Sequence, residues 1–438
     1  RSAFSLVLLL VSMLPGSAQA FGLLEGFRLA QRNDAAFRAA LAERDAGEAN
    51  RALGRSQLLP VISANVSRSN VTGERQIGSS TTDLDYTSKS AALQLRQPLF
   101  NMERWAEYQQ GLAKADYSQS VFSRKEKDLA SRYVLTYLDL LLAEQNLTLN
   151  EAKIRALSEA RQQAQRRLER GDGTIIDVRE AEARLALAEA MQVEVQNQRV
   201  VAEQALVVLT GEAPRRLAEP GQEMSQHLGV AGLLQEWLAR AGQNSPDILA
   251  AQGKVEIAQQ EFAKARAGHY PSLDLVASHS RTSSDTVSTL NQKNKLNAVG
   301  VQLSIPLYAG GYSSALSEQA AASLRQSMAE LDEVRAKTAL DVSRQFHGFS
   351  SNSSKILALR TAVHSSEQVL VANQRGLDAG VRTSIDVLNA QEQLYQARYD
   401  LVEAQYKQLA NWVELRASSG SLSDADITQL DQGFVWRK

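Results

Sequence analysis

Two stretches of the chain set charged and hydroxyl side chains at matched positions. In "GDGTIIDVREAEARLAL", Gly171 and Gly173 precede Thr174 and Asp177. In "GVRTSIDVLNAQEQLYQ", Gly380 precedes Arg382, Thr383, Ser384 and Asp386, with Asn389 three residues further on. The two phrases begin about 209 residues apart and share Ile-Asp-Val. Glycine accepts positive φ at no steric cost, so each phrase reads as a turn that opens a helix. A carboxylate in a first helical turn simply favours the helix dipole. The chemistry on offer is therefore placement of charge, not bond-making. The sequence shows no paired carboxylates with a plausible pocket, no nucleophile–base arrangement and no phosphate loop, so an enzyme is not expected.

Composition narrows the classes further. The 438 residues include no cysteine, which excludes disulfides, thiol catalysis and Cys-based zinc sites. Five scattered histidines lack metal-site spacing, and no cofactor is expected. A formal net charge of -1 leaves no footprint for nucleic acid. Proline is scarce and Ala, Gln, Glu, Arg and Leu dominate, a composition of long helices.

The elements that carry the two phrases are themselves duplicated. "LLPVISANVSRS" from Leu58 pairs with "HYPSLDLVASHSRT" from His269, and "LQLRQPLFNMERW" from Leu93 pairs with "VQLSIPLYAGGYS" from Val301. With the glycine phrases these landmarks recur in order, as expected of an internal repeat. One repeat is placed at residues 21–210 and the other at 245–420, separated by a connector at 211–244 and followed by a tail at 421–438.

Each repeat holds two strand signals of period two. Ile62, Ala64 and Val66 alternate with polar residues, as do Leu93 and Leu95; Leu273 and Leu275, then Val299, Val301 and Leu303, do so in the second repeat. Pro98 and Pro306 stand where the second strand of each pair should end, because proline has no N–H for a ladder. Polar loops are expected over "SNVTGERQIGSSTTDLDYTSK" and "RTSSDTVSTLNQKNK". The remainder is helical. Residues 112–170 contain no Gly or Pro, and the runs Thr174–Thr210 and Arg382–Ser419 follow the glycine turns. In the last run Val387, Leu394 and Leu401 recur every seventh residue beside a second such stripe, so that helix packs against more than one neighbour. A short helix is expected around Leu233–Arg240.

Residues 1–20 read as an export signal: Arg1, the apolar "FSLVLLLVSML", then "PGSAQA" with Ala18 and Ala20 flanking Gln19. Phe21 is the expected mature start. If the strands enter lipid, all their backbone groups must be paired, so the sheet must close. Four strands are too few, since outer-membrane barrels use about eight or more. The chain must pool its strands with copies of itself. A soluble periplasmic coiled-coil scaffold would share the helices and the signal but would not need two matched strand pairs.

The residues "PLYAGG" at Pro306, "YPSLDL" at Tyr270, "GVRTSIDVLNAQ" at Gly380 and "GSLSDADI" at Gly420 resemble the TolC-type outer-membrane efflux and secretion channels. The resemblance implies a mainly α chain with a membrane β-barrel. Three chains would share a barrel of twelve strands in the outer membrane and a coiled-coil helical tunnel in the periplasm. It implies a periplasmic adaptor and an inner-membrane ABC transporter as partners, or alternatively a proton-driven pump. It places Gly171, Gly173, Thr174, Gly380, Thr383 and Ser384 at hairpin tips that dock the adaptor. Asp177 and Arg382 match gate residues that join neighbouring hairpins, and Asp386 matches a lumen carboxylate. Asn389 falls where the family often has a second one, which weakens the expectation of polycation block. The start "GLLEGFRLAQRNDAAFRAALAERDAGEANRALGRSQLLP" and "QPLFNMERW" resemble the type I secretion branch, which exports unfolded protein such as a protease or lipase; drug efflux is the alternative.

Overall fold

A computed structural model describes residues 22–214, 216–221, 224, 228–230, 232–284 and 292–436. The expected export signal lies outside the described residues. The elements run α1 (Leu23–Asn33), α2 (Ala35–Ser56), β1 (Val61–Ile77), β2 (Ser80–Phe100), α3 (Met102–Glu169), α4 (Ile175–Thr210) and β3 (Ala218–Pro220). They continue as α5 (Leu234–Asn244), α6 (Pro246–Ala267), β4 (Ser272–Ser284), β5 (Gln292–Ser304), α7 (Tyr312–Asp378), α8 (Ser384–Ser418), α9 (Asp424–Gln432) and β6 (Phe434–Trp436).

The duplication is visible in element lengths. Helices α1 to α4 span 11, 22, 68 and 36 residues, and α5 to α8 span 11, 22, 67 and 35. Helix α5, expected within the connector, thus has α1 as its counterpart. The described residues form two compact units that draw on both repeats: those up to 39, within 125–245 and from 338 onward in the first, those within 40–124 and 246–337 in the second.

The second unit holds an antiparallel sheet of order β1-β2-β4-β5. Residues expected as the first polar loop are strand. β1 and β2 stay paired until Ile77 meets Ser80, leaving a turn in which Gly78 takes φ 64°. The reason is that Val71, Thr72, Thr81, Thr82, Tyr86 and Thr87 are strand formers despite their polar setting. β4 and β5 likewise extend into the second expected loop, up to Ser284 opposite Gln292. Pro98 does not end β2: the strand continues to Phe100 past a register shift at Pro98, where a missing donor is tolerated. Pro306 lies beyond the end of β5. Helix α3 begins at Met102 and passes through Gly111, where a Cβ would stand 2.6 Å from the Asn50 carbonyl. That glycine serves close packing against α2 and does not break the helix.

The core of the first unit is an aromatic column. Phe27, Tyr133, Tyr137 and Phe434 stack with centroids 5.8, 6.1 and 5.9 Å apart. The buried Tyr137 hydroxyl donates to the Ala218 carbonyl at 3.0 Å and accepts from its N–H at 2.9 Å, which anchors the small β3–β6 sheet. Leu129, Leu141, Leu206, Trp412 and Ile427 close the core around it. Among the described residues, no helix is long and apolar enough to cross a membrane.

Candidate functional site

Both glycine phrases lie in the first unit and have the same construction. At the end of α3, Gly171 takes φ 80° and the Asp172 N–H donates back to the Arg167 carbonyl at 2.9 Å. At the end of α7, Gly380 takes φ 74° and the Val381 N–H donates to the Gly376 carbonyl at 2.9 Å. These are left-handed helix ends that satisfy the last carbonyls. Thr174 then caps α4: its hydroxyl accepts from the Asp177 N–H at 3.2 Å, and the Asp177 carboxylate accepts from the Thr174 N–H at 3.0 Å. Thr383 and Asp386 repeat the reciprocal pair at 3.2 and 2.9 Å on α8. The shared spacing of Gly, Thr and Asp is therefore a stop-and-restart device for an antiparallel helical hairpin.

The two carboxylates differ in surroundings. Partial burial works against the charge of Asp177. Hydrogen bonds from the Thr174 hydroxyl and N–H, then from Ser384, and the charge of Arg167 outweigh it and hold its pKa below the usual range. Asp386 is partly exposed. The Thr383 N–H and then its hydroxyl hold that carboxyl low, against a small desolvation and with help from Arg382. Within one chain Asp177 and Arg382 are not ion-paired. The stem of Arg382 instead lies on Gly376, where a Cβ would stand 2.6 Å from its Cγ. At Gly173 a Cβ would press on Arg167 and Leu168 at 3.0 Å, so the turn is tight there as well.

The structure brings the two hairpins together through residues that periodicity does not single out. Arg167 donates to the Leu377 carbonyl at 3.4 Å, and Lys153 pairs with Glu392 at 2.8 Å. Arg184 donates to Glu180 at 2.9 Å and to the Asn389 side-chain oxygen at 2.7 Å. Leu157, Ala181, Leu185, Ala188 and Leu388 form the apolar contact between them. Asn150 is buried and donates to the Ala188 carbonyl at 3.0 Å and to Gln192 at 2.8 Å. In the sequence the Glu180–Arg184 spacing signals the ion pair, and the second heptad stripe, which begins at Leu388, signals the apolar contact. An open groove of about 1110 Å³ runs beside Lys153, Arg184, Leu187, Met191, Asn389 and Glu392.

Several surfaces of the chain are unpartnered. Among the described residues, β1 and β5 are paired on one side only. Leu187, Val193, Val200, Val201 and Val208 project from α4 with more than half their surface exposed. Ile62, Val66, Val299, Val301 and Leu303 do the same from the sheet.

The family described as Outer membrane efflux protein matches residues 27–212 and 237–421. Proteases secretion protein PrtF of Dickeya chrysanthemi is 35% identical, with 98% of this chain and 94% of that protein covered. Alkaline protease secretion protein AprF of Pseudomonas aeruginosa is also 35% identical, covering 97% of this chain and 89% of that one. Among solved structures, a membrane protein from Pseudomonas aeruginosa superposes with a TM-score of 0.81 at 20% identity, covering 93% of each chain. The chain belongs to the outer membrane efflux protein family.

Proposed function

We propose that this chain is the outer-membrane channel of a type I secretion system. It forms a homotrimer and passes unfolded protein, such as a protease or lipase, from an inner-membrane ABC transporter through a periplasmic adaptor to the outside. The observation that carries the cargo class is end-to-end similarity to two proteins named for protease secretion. The physical support for the assembly is the open sheet. Four strands with two free edges cannot stand in lipid, whereas three copies give twelve and close it. The exposed apolar residues of α4 offer a surface for the neighbouring chain.

In this reading the hairpin turns form the periplasmic gate and adaptor dock. Gly171, Gly173 and Thr174, with Gly380, Thr383 and Ser384, shape the dock. Asp177 meets Arg382 of a neighbouring copy, while Asp386 and Asn389 ring the lumen. The family description, an efflux protein, favours drug efflux as the second reading. Deletion of the gene separates the two. Loss of extracellular protease or lipase with unchanged drug susceptibility is expected; the reverse pattern overturns protein secretion in favour of efflux.

A further inference from the structure

The sheet of the second unit carries a charge pattern that neither cargo passage nor its own folding requires. Side chains alternate between faces along a strand, so the register assigns each face. One face is largely apolar nearest the helices: Leu275 between Gln97 and Val301, then the row Ile62, Leu95, Ala277 and Val299, then Ala64 and Leu93 with the hydrogen-bonded pair His279 and Asn297 completing their row, then Val66 beside Ala91. Toward the hairpin turn the same face carries Arg281, Lys295, Arg68, Lys89 and Lys293. At that level the other face holds Ser67, Ser90, Thr282 and Asn294.

All five cations are exposed. Among the described residues the ion pair within the sheet is Arg96–Asp274, on the opposite face, and none of the five takes part in it. Two pairs of like charge stand directly across a strand boundary: Arg68 opposite Lys89, and Arg281 opposite Lys295. Such pairs destabilise a sheet unless an anion joins them. Edge protection accounts for cations on β1 and β5. It does not account for Lys89 on β2 or Arg281 on β4, which are inner strands. Further out, Asn70 and Thr87 are uncharged, and Asp85, Glu74 and Asp83 follow on that face. The cationic zone is thus narrow and bounded on both sides.

Its height is informative. α2, α3, α6 and α7 all join the sheet at the end away from the β1–β2 turn. The apolar band of a membrane barrel is about 25 Å tall, or about five such rows of tilted strand. The cations therefore fall where acyl chains give way to headgroups, on the side remote from the helices. We propose that the two like-charge pairs form a belt that binds a membrane glycolipid bearing two phosphates, one phosphate at each pair, with its acyl chains against Ile62, Val66, Leu93 and Leu95. Charge-assisted hydrogen bonds from Arg and Lys to phosphate oxygens offset the repulsion within each pair. This rests on the closed-barrel reading above and is independent of cargo.

The test uses the full-length trimer extracted in detergent, with native mass spectrometry and bisphosphorylated lipid A as the probe. The variant Arg68→Gln/Lys89→Gln/Arg281→Gln/Lys295→Gln is expected to bind it at least roughly tenfold more weakly, while millimolar inorganic phosphate leaves binding to the native trimer unchanged. Should the fourfold variant fail to assemble, Arg68→Gln/Lys89→Gln and Arg281→Gln/Lys295→Gln are each expected to abolish the preference for two phosphates over one. Undiminished lipid A binding in the variants overturns the inference, as does equal affinity of the native trimer for phosphatidylglycerol. Failure to recover any detergent-borne trimer of the native chain overturns the channel reading itself.

Discussion

The Arg184 guanidinium donates to the Asn389 side-chain oxygen at 2.7 Å and so ties α4 to α8 across the two hairpins of one chain. An amide at that position accepts the hydrogen bond without adding charge. Replacing Asn389 with Asp turns the contact into an ion pair, worth about 0–1 kcal/mol at a partly exposed site. In a trimer it also adds three carboxylates near Asp386. Planar-bilayer recordings of Asn389→Asp are expected to show block by a trivalent cation at roughly tenfold lower concentration than in the native channel, the equivalent of about 1.4 kcal/mol.

Asp177 has one role in this structure and a second, proposed one, and they are separable. It is the carboxylate partner of the Thr174 cap, and in the proposed assembly it meets Arg382 of a neighbour. Loss of a cap costs about 1 kcal/mol of local helix stability. Arg382→Ser leaves both caps intact and is expected to raise single-channel conductance. Thr174→Ala removes the cap alone and is expected to leave conductance within error while loosening the tip. Asp177→Ala combines both effects. Equal conductance in Arg382→Ser and native channels removes these residues from the gate.

The division between what was legible in the residues and what was not follows from the range of each interaction. Both helical hairpins and all four long strands show in periodicity and in matched phrases, because those signals are local. The strand ends lie beyond those expected because Val71, Thr72 and Tyr86 sit among polar neighbours, where a loop and a lipid- or lumen-facing strand have the same composition. The capping boxes use residues three apart, yet what Asp177 and Asp386 show in the sequence is their charge alone. Arg184–Asn389 and Lys153–Glu392 join residues more than two hundred positions apart, and no spacing rule reaches that far. The cationic face depended on register: Arg68 and Lys89 become neighbours only once the β1–β2 turn is fixed at Gly78.

Acid should release the tips late. Both Asp177 and Asp386 are held below the ordinary carboxylate value of 3.8. A depressed folded-state pKa contributes stability above the unfolded value, and that contribution is lost as pH falls through the folded value. Hydrogen exchange over residues 171–180 and 380–389, corrected for intrinsic rates, is expected to stay flat from pH 7 to pH 5. It is expected to rise only below about pH 4. In Thr174→Ala/Thr383→Ala the carboxylates lose their hydroxyl donors and keep the backbone N–H, so the rise is expected to begin at modestly higher pH.

Gly376 offers a way to move Arg382 without touching its charge. A Cβ at Gly376 would stand 2.6 Å from the Arg382 Cγ and 3.2 Å from its Cβ. These atoms are near the root of the side chain, so a rotation of the guanidinium does not relieve the clash and the whole stem must leave. Gly376 lies within α7, where alanine is otherwise the better helix former by about 1 kcal/mol. The clash opposes that preference, so Gly376→Ala is expected to lower the stability of the tip while raising conductance toward that of Arg382→Ser. In the double variant Gly376→Ala/Arg382→Ser no further increase is expected, because both changes remove the same contact. An additive increase would mean that the glycine and the arginine act on the channel by separate routes.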